Sequence, residues 1–149
     1  MGEQQWFQPT VRNKLSQAIV LVNFSLQYGK FYDISEHPHH FHPPRWQISS
    51  LDNRFNEIAT PDRTNIPGEQ QNEWGSCGWQ ATPTGTEGSF EVHLADGDEK
   101  IAEVYWDCPY MGSNNQIVKR YVKPGYDVSF DGFNMSGALG NGNINVQEN

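Results

Sequence analysis

Two alternating segments joined by a tight turn constrain this chain more than any other stretch. Ser89-Phe90-Glu91-Val92-His93-Leu94 alternates apolar with polar residues, and Lys100 to Trp106 alternates again. Between them lies Ala95-Asp96-Gly97-Asp98. Side chains of a strand point to opposite faces in turn, so each segment reads as a strand with one buried face. An Asp-Gly pair supplies the positive φ angles that a tight hairpin turn requires. The two segments therefore predict an antiparallel hairpin.

The rest of the chain extends this pattern. Ala18 to Tyr28 opens as an apolar run, passes into alternation and is broken by Gly29, which predicts a long strand that becomes half exposed. Gln116 to Val122 predicts another strand, Pro124-Gly125 a turn, and Tyr126 to Phe130 a return strand with Tyr126, Val128 and Phe130 on one face. A last short strand is expected at Ile144-Asn145-Val146. Weaker alternation suggests strands at Trp46 to Leu51 and Phe55 to Ala59, whereas 60–76 reads as a long polar loop. With 14 Gly and 9 Pro as punctuation and no helical periodicity, the expected fold is all-β. The expected architecture is an antiparallel β-sandwich of two packed sheets, one domain over residues 1–149.

The formal charge of −8 argues against nucleic acid and against anionic lipid as partners, because both need a field of Lys and Arg. No run approaches the roughly 18 apolar residues of a membrane span. Met1-Gly2-Glu3-Gln4-Gln5 has neither the basic nor the apolar segment of a signal peptide, so synthesis as a soluble cytoplasmic protein is expected. Cys77 and Cys108 fit no zinc spacing, and either one bridge or two buried thiols satisfies the sequence.

No catalytic motif stands out. His37, His39, His40 and His42 suggest metal ligation, but three prolines in residues 36–44 favour a stiff, solvated loop. There is no Gly-x-Ser-x-Gly elbow and no phosphate loop, so no enzyme activity and no cofactor are expected. The aromatics carry the remaining signal. Trp106 sits on an alternating strand and serves the core or a surface equally well, whereas Trp74 and Trp79 flank Gly75-Ser76-Cys77-Gly78 and read as loop residues. Tyr28 stands at one strand end, and Tyr110 with Met111 follows another that Pro109 should terminate. Gathered at one pole, these side chains would form an aromatic patch suited to a membrane interface.

Several of these motifs, in this order, resemble the aegerolysin family of small β-sandwich proteins. They are Tyr28-Gly29-Lys30, Ser76-Cys77-Gly78, Gly85-Thr86-Glu87-Gly88-Ser89-Phe90 and Ala95-Asp96-Gly97-Asp98. They continue with Tyr105-Trp106-Asp107-Cys108-Pro109-Tyr110, Gly112-Ser113-Asn114 and Ser136-Gly137-Ala138-Leu139-Gly140. The resemblance implies a protein that recognises a membrane sphingolipid, in some members together with a sterol. It also implies a partner of the membrane-attack-complex/perforin class, which forms the pore of a two-component cytolysin. Bacterial members of this kind act as insecticidal toxins outside the producing cell, and a homo-oligomer is compatible with the pattern.

Carried over by residue, the headgroup end involves Tyr28, Tyr110 and Asn114, with Thr84 at a position that tunes lipid choice; together with the aromatic and loop residues read above, the expected lipid-binding set is Tyr28, Trp79, Thr84, Trp106, Tyr110, Met111 and Asn114. Tyr28 and Tyr110 stand where the family typically has tryptophan, Asn114 where it often has a basic residue, and Thr84 where some members have glutamate. Met111 is an extra loop residue, and His37 to Pro44 has no family counterpart. The alternative function is a lectin-like carbohydrate- or glycolipid-binding module without pore formation, because aromatic platforms and Asn-rich loops also suit sugars.

Overall fold

A computed structural model of the chain describes residues 5–34, 57–79, 83–111 and 114–149. The histidine loop at 37–42 and the expected strand at 46–51 lie outside the described residues. The first strands are β1 (Trp6–Phe7), β2 (Thr10–Asn13), β3 (Ile19–Tyr28) and β4 (Lys30–Tyr32). Then come β5 (Glu57–Ile58), β6 (Thr64–Ile66), β7 (Gln71–Glu73) and β8 (Gly75–Cys77). The hairpin follows as β9 (Thr86–Leu94) and β10 (Lys100–Cys108), and the chain ends with β11 (Gln116–Val122), β12 (Tyr126–Asp131) and β13 (Asn143–Glu148). No α-helix occurs among the described residues.

The expected β-sandwich is present, but hydrogen bonding divides it into three sheets rather than two. A five-stranded sheet runs β11-β10-β9-β3-β6, and two four-stranded sheets run β1-β8-β4-β5 and β12-β13-β2-β7. Pairing is antiparallel except between β2 and β13, which lie parallel. The core draws on all three sheets, with Leu21, Phe90, Val104, Phe31, Val11 and Ile144 among its buried members. Alternation along β9 is strict, so Thr86, Gly88, Phe90, Val92 and Leu94 point inward and Glu87, Ser89, Glu91 and His93 point outward.

The region 60–76 departs from the expected loop. It contains β6 and β7 and leads into β8, with Ile66 and Trp74 buried. Gln71-Asn72-Glu73 is polar because β7 is an edge strand, paired among the described residues only with β2, so neither face carries an apolar stripe. Trp74, in the link between β7 and β8, is likewise a core residue and not an exposed one. Its ring meets Phe7, Phe24, Phe31, Phe90 and Trp106 at centroid distances of 5.1–5.9 Å. Edge-to-face contacts in this cluster suit the aromatic quadrupole. Both cysteines are free and buried. Burial pushes the Cys108 thiol up to about 12, so it stays protonated and points at Gln5 Oε1 (3.5 Å) and the Gly137 carbonyl (3.4 Å).

Candidate functional site

Three chain segments converge at one end of the five-stranded sheet, where β3 and β10 end and β9 begins. Two glycines permit the approach. Gly29 has φ +97°, and a Cβ there would lie 2.7 Å from the Cys77 carbonyl oxygen. At Gly85 a Cβ would lie 2.0 Å from the Cys108 carbonyl oxygen and 2.8 Å from the Tyr110 nitrogen. Any side chain at either position would drive the segments apart.

Between these segments is an open cleft of about 320 Å³. Tyr28, Thr84 and Tyr110 line it, together with Pro109, Glu87 and Asp107. Tyr28 is 62% exposed and Met111, next to Tyr110, is 84% exposed. Asn114 is exposed with φ +62°, a conformation that asparagine tolerates better than most residues. Trp79 is partly exposed, its backbone N–H donates to Thr84 Oγ1 at 2.9 Å, and Lys30 Nζ lies 5.4 Å from its ring centroid.

Trp106 does not reach the cleft. It is fully buried, stacked on Phe7 with centroids 5.3 Å apart, so it cannot touch a ligand and its place in the expected lipid-binding set is corrected. Its role is positional. The indole Nε1–H donates to Thr86 Oγ1 at 3.0 Å, Thr86 Oγ1 lies 2.6 Å from Ser76 Oγ, and Ser76 donates to the Lys30 carbonyl at 2.8 Å. With the Ser76 proton committed to Lys30, Thr86 is the donor to Ser76. The chain Trp106→Thr86→Ser76→Lys30 thus ties β10 and β9 to β8 and β4 directly behind the cleft.

Sequence reasoning missed three residues here. Met135 is 56% exposed, and its carbonyl accepts from the Asn115 backbone N–H at 3.0 Å, which sets it beside Asn115. Asn115 Nδ2 fastens the same neighbour by donating to the carbonyls of Asn134 (2.9 Å) and Gly137 (3.0 Å). Glu87 and Asp107 are the other two, directly opposite each other across β9 and β10. Tyr105 donates to Glu87 Oε2 at 2.5 Å, and Arg120 stacks on the Tyr105 ring at 3.9 Å. Burial, followed by the neighbouring Glu87 charge, raises the Asp107 carboxyl above its ordinary range. Like charges in direct register are unfavourable, and none of the described lining residues contributes a cation.

Among the described residues no group of three or more His, Cys, Asp and Glu side chains is placed to hold a metal ion, and no helix is long and apolar enough to cross a membrane.

Comparison with known proteins gives the family. The aegerolysin family model matches residues 4–149. Ostreolysin A6 of Pleurotus ostreatus is 28% identical over 142 residues, covering 94% of this chain and 92% of that protein. Asp-hemolysin of Aspergillus fumigatus is 28% identical over 144 residues, covering 95% and 91%. Among solved structures, IP-1A from Alcaligenes faecalis superposes with a TM-score of 0.73 at 28% identity, covering 99% of this chain and 93% of that one. RahU, in complex with TRIS, shares the fold with a TM-score of 0.76 at 24% identity, covering 99% and 97%. A match over nearly the whole chain, on the same fold, settles the assignment: this protein belongs to the aegerolysin family.

Proposed function

We propose that this protein is the lipid-recognising subunit of a two-component pore-forming toxin, acting from outside on a target membrane. It reads a sphingolipid headgroup in the cleft and recruits a perforin-like partner that forms the pore. An insecticidal role follows where the target cell displays that lipid. The observation that carries this reading is the meeting of Tyr28, Thr84 and Tyr110 at one cleft, with Met111 exposed next to Tyr110. Large exposed apolar side chains grouped at one end need a partner surface. Burying each in the interface contributes about 1.5–3 kcal/mol. With a net charge of −8, adhesion has to come from these contacts and from headgroup recognition rather than from attraction to anionic lipid. Relatives named ostreolysin and hemolysin support the cytolytic part.

The test is co-sedimentation with sphingolipid-containing vesicles. Tyr110→Ala should weaken binding about tenfold or more and leave the melting temperature close to wild type, because Tyr110 lies outside the core. Undiminished binding by that variant would overturn the assignment. Retention on a glycan array without vesicle binding would replace it with the lectin reading.

A further inference from the structure

We propose that the pocket between β2 and β7, at the far end of β3 from the cleft, binds an acidic sugar, with Arg12 and Lys14 holding its carboxylate and Glu69 its hydroxyls. The inference is independent of the lipid-recognition reading.

The pocket is open and has a volume of about 650 Å³. Arg12 on β2 and Lys14 just beyond it are exposed, whereas Asn13 and Leu15 turn inward, so the two cations share one face. Glu69, Gln70 and Gln71 complete the lining. Asn13 fixes the pocket in the fold, because its Nδ2 donates to the carbonyls of Gln17 (2.9 Å) and Ile66 (3.1 Å), beside the start of β3. The cleft lies where β3 ends. Ten residues of strand, roughly 30 Å, separate the two sites.

The charges point to an anion. Every other lysine or arginine among the described residues is engaged. Arg63 pairs with Asp98, Lys100 with Glu103, Lys119 with Asp127 and Lys123 with Glu99, while Lys30 and Arg120 lie over aromatic rings. The side chains of Arg12 and Lys14 form no ion pair or hydrogen bond among the described residues, and neither does the Glu69 carboxylate. Asp131 does not quench them. Hydrogen bonds from Asn143 Nδ2 (2.7 Å) and Asn145 Nδ2 (2.9 Å), and after them the Arg12 and Lys14 charges, hold its carboxyl below the ordinary range, but no ion pair joins it to either cation. In a chain of net charge −8, two adjacent cations without a carboxylate partner leave a local positive field.

The acceptor is equally specific. Glu69 has φ +61°, a left-handed conformation that glycine or asparagine adopts with less strain. Its N–H donates to the Leu15 carbonyl at 2.9 Å, and at Gly68 a Cβ would lie 2.1 Å from the Ser16 carbonyl oxygen, so the turn is held against the chain after β2. Strained backbone positions of this kind cluster at ligand sites. Two cations and one carboxylate leave a single positive charge, which fits a monoanion. The Arg12 guanidinium can grip a carboxylate through two parallel N–H bonds. Glu69 only accepts, and the amides of Gln70 and Gln71 both donate and accept, so the ligand has to bring hydroxyls beside its charge. A uronic or sialic acid carries both. No aromatic ring lines the pocket among the described residues, so the affinity should be millimolar.

NMR titration of the intact protein with glucuronate, N-acetylneuraminate, glucose and acetate tests the pocket. The acidic sugars should shift the amide signals of Arg12 to Lys14 and Glu69 to Gln71, and bind about tenfold more tightly than glucose or acetate. Arg12→Gln combined with Lys14→Gln should remove the preference over glucose, and Glu69→Gln the preference over acetate. These side chains are exposed and unpartnered among the described residues, so the variants should fold. Tyr110→Ala should leave the titration unchanged. Absence of binding, or affinity equal to that for glucose or acetate, would overturn the inference and leave the lipid reading standing. Loss of sugar binding in Tyr110→Ala would move the sugar to the cleft and overturn the pocket. Phosphatidylcholine vesicles with and without a sialylated glycolipid, offered to Tyr110→Ala, identify the source. Retention only with the glycolipid assigns the sugar to a membrane, binding confined to the free sugars assigns it to a soluble glycan, and either supports the pocket.

Discussion

Thr86→Val tests how the cleft is held in place. The substitution preserves shape and removes one oxygen from the buried chain Trp106→Thr86→Ser76→Lys30. Thr86 is 1% exposed and Trp106 fully buried, so water cannot replace the lost partner. The indole N–H is then orphaned, which costs about 1–3 kcal/mol, and Ser76 loses one donor while keeping its bond to Lys30. The sum is about 2–4 kcal/mol, since a net hydrogen bond contributes about 1 kcal/mol. For a chain of 149 residues this corresponds to a drop of about 5–15 °C in Tm. Urea unfolding followed by far-UV circular dichroism should show a lower midpoint with an unchanged slope. Thr86→Ser, which keeps the hydroxyl, should recover most of the loss beyond its missing methyl. A Thr86→Val midpoint within about 0.5 kcal/mol of wild type would refute the reasoning, because that is the range of ordinary surface substitutions.

Two predictions concern pH. Burial and the Glu87 charge raise the Asp107 carboxyl in the folded state, so the folded protein binds that proton more tightly than the unfolded chain. Ionised Asp107 therefore lowers stability at neutral pH, and the loss is recovered as pH falls through the raised value. Asp107→Asn should raise the urea midpoint at pH 7 and match wild type in acid, whereas a lower midpoint at pH 7 would contradict the assignment. Glu91 behaves oppositely. Burial opposes its ionisation, but hydrogen bonds from His93 Nε2 (2.8 Å) and Asn23 Nδ2 (3.0 Å), with the Lys100 charge, hold its carboxyl below the ordinary range. Its contribution is present above the unfolded value and lost as pH falls through the lowered one, so Glu91→Gln should flatten the acid limb of the stability curve.

The hairpin of β9 and β10 was legible from alternation because its strands bury one face along most of their length, and the long strand β3 from its apolar run, since Ile19 to Val22 are buried on both faces before the strand becomes half exposed. The placement of Tyr28 and Tyr110 at strand ends followed from Gly29 and Pro109, whose backbone constraints act locally. Trp74 was not legible. Its neighbours Gln71, Asn72 and Glu73 are polar, and only long-range packing on Phe24 and Phe90 buries it. Met135 was hidden for a similar reason. The contact that sets it beside Asn115 is a backbone hydrogen bond from that residue, which no side-chain pattern announces.

The acidic pair shows how a remote backbone feature can set the chemistry of a site. Near the turn, Lys100 lies opposite His93. Counting on from that pair without interruption would bring Asp107 opposite Thr86, an inward-facing residue. The register instead shifts between Lys100 and Ala102, and Asp107 meets Glu87. Ile101 and Ala102 are both buried, which is how a bulge looks in a burial pattern. In the sequence the signal is present but slight, as Ile101-Ala102 puts two apolar residues in succession within an otherwise alternating strand. That single extra residue puts the two carboxylates side by side at the cleft. A one-residue slip changes the face and partner of everything beyond it. The charge of the cleft is therefore decided at the far end of the hairpin, and the strand end that displays Tyr110 only presents the result.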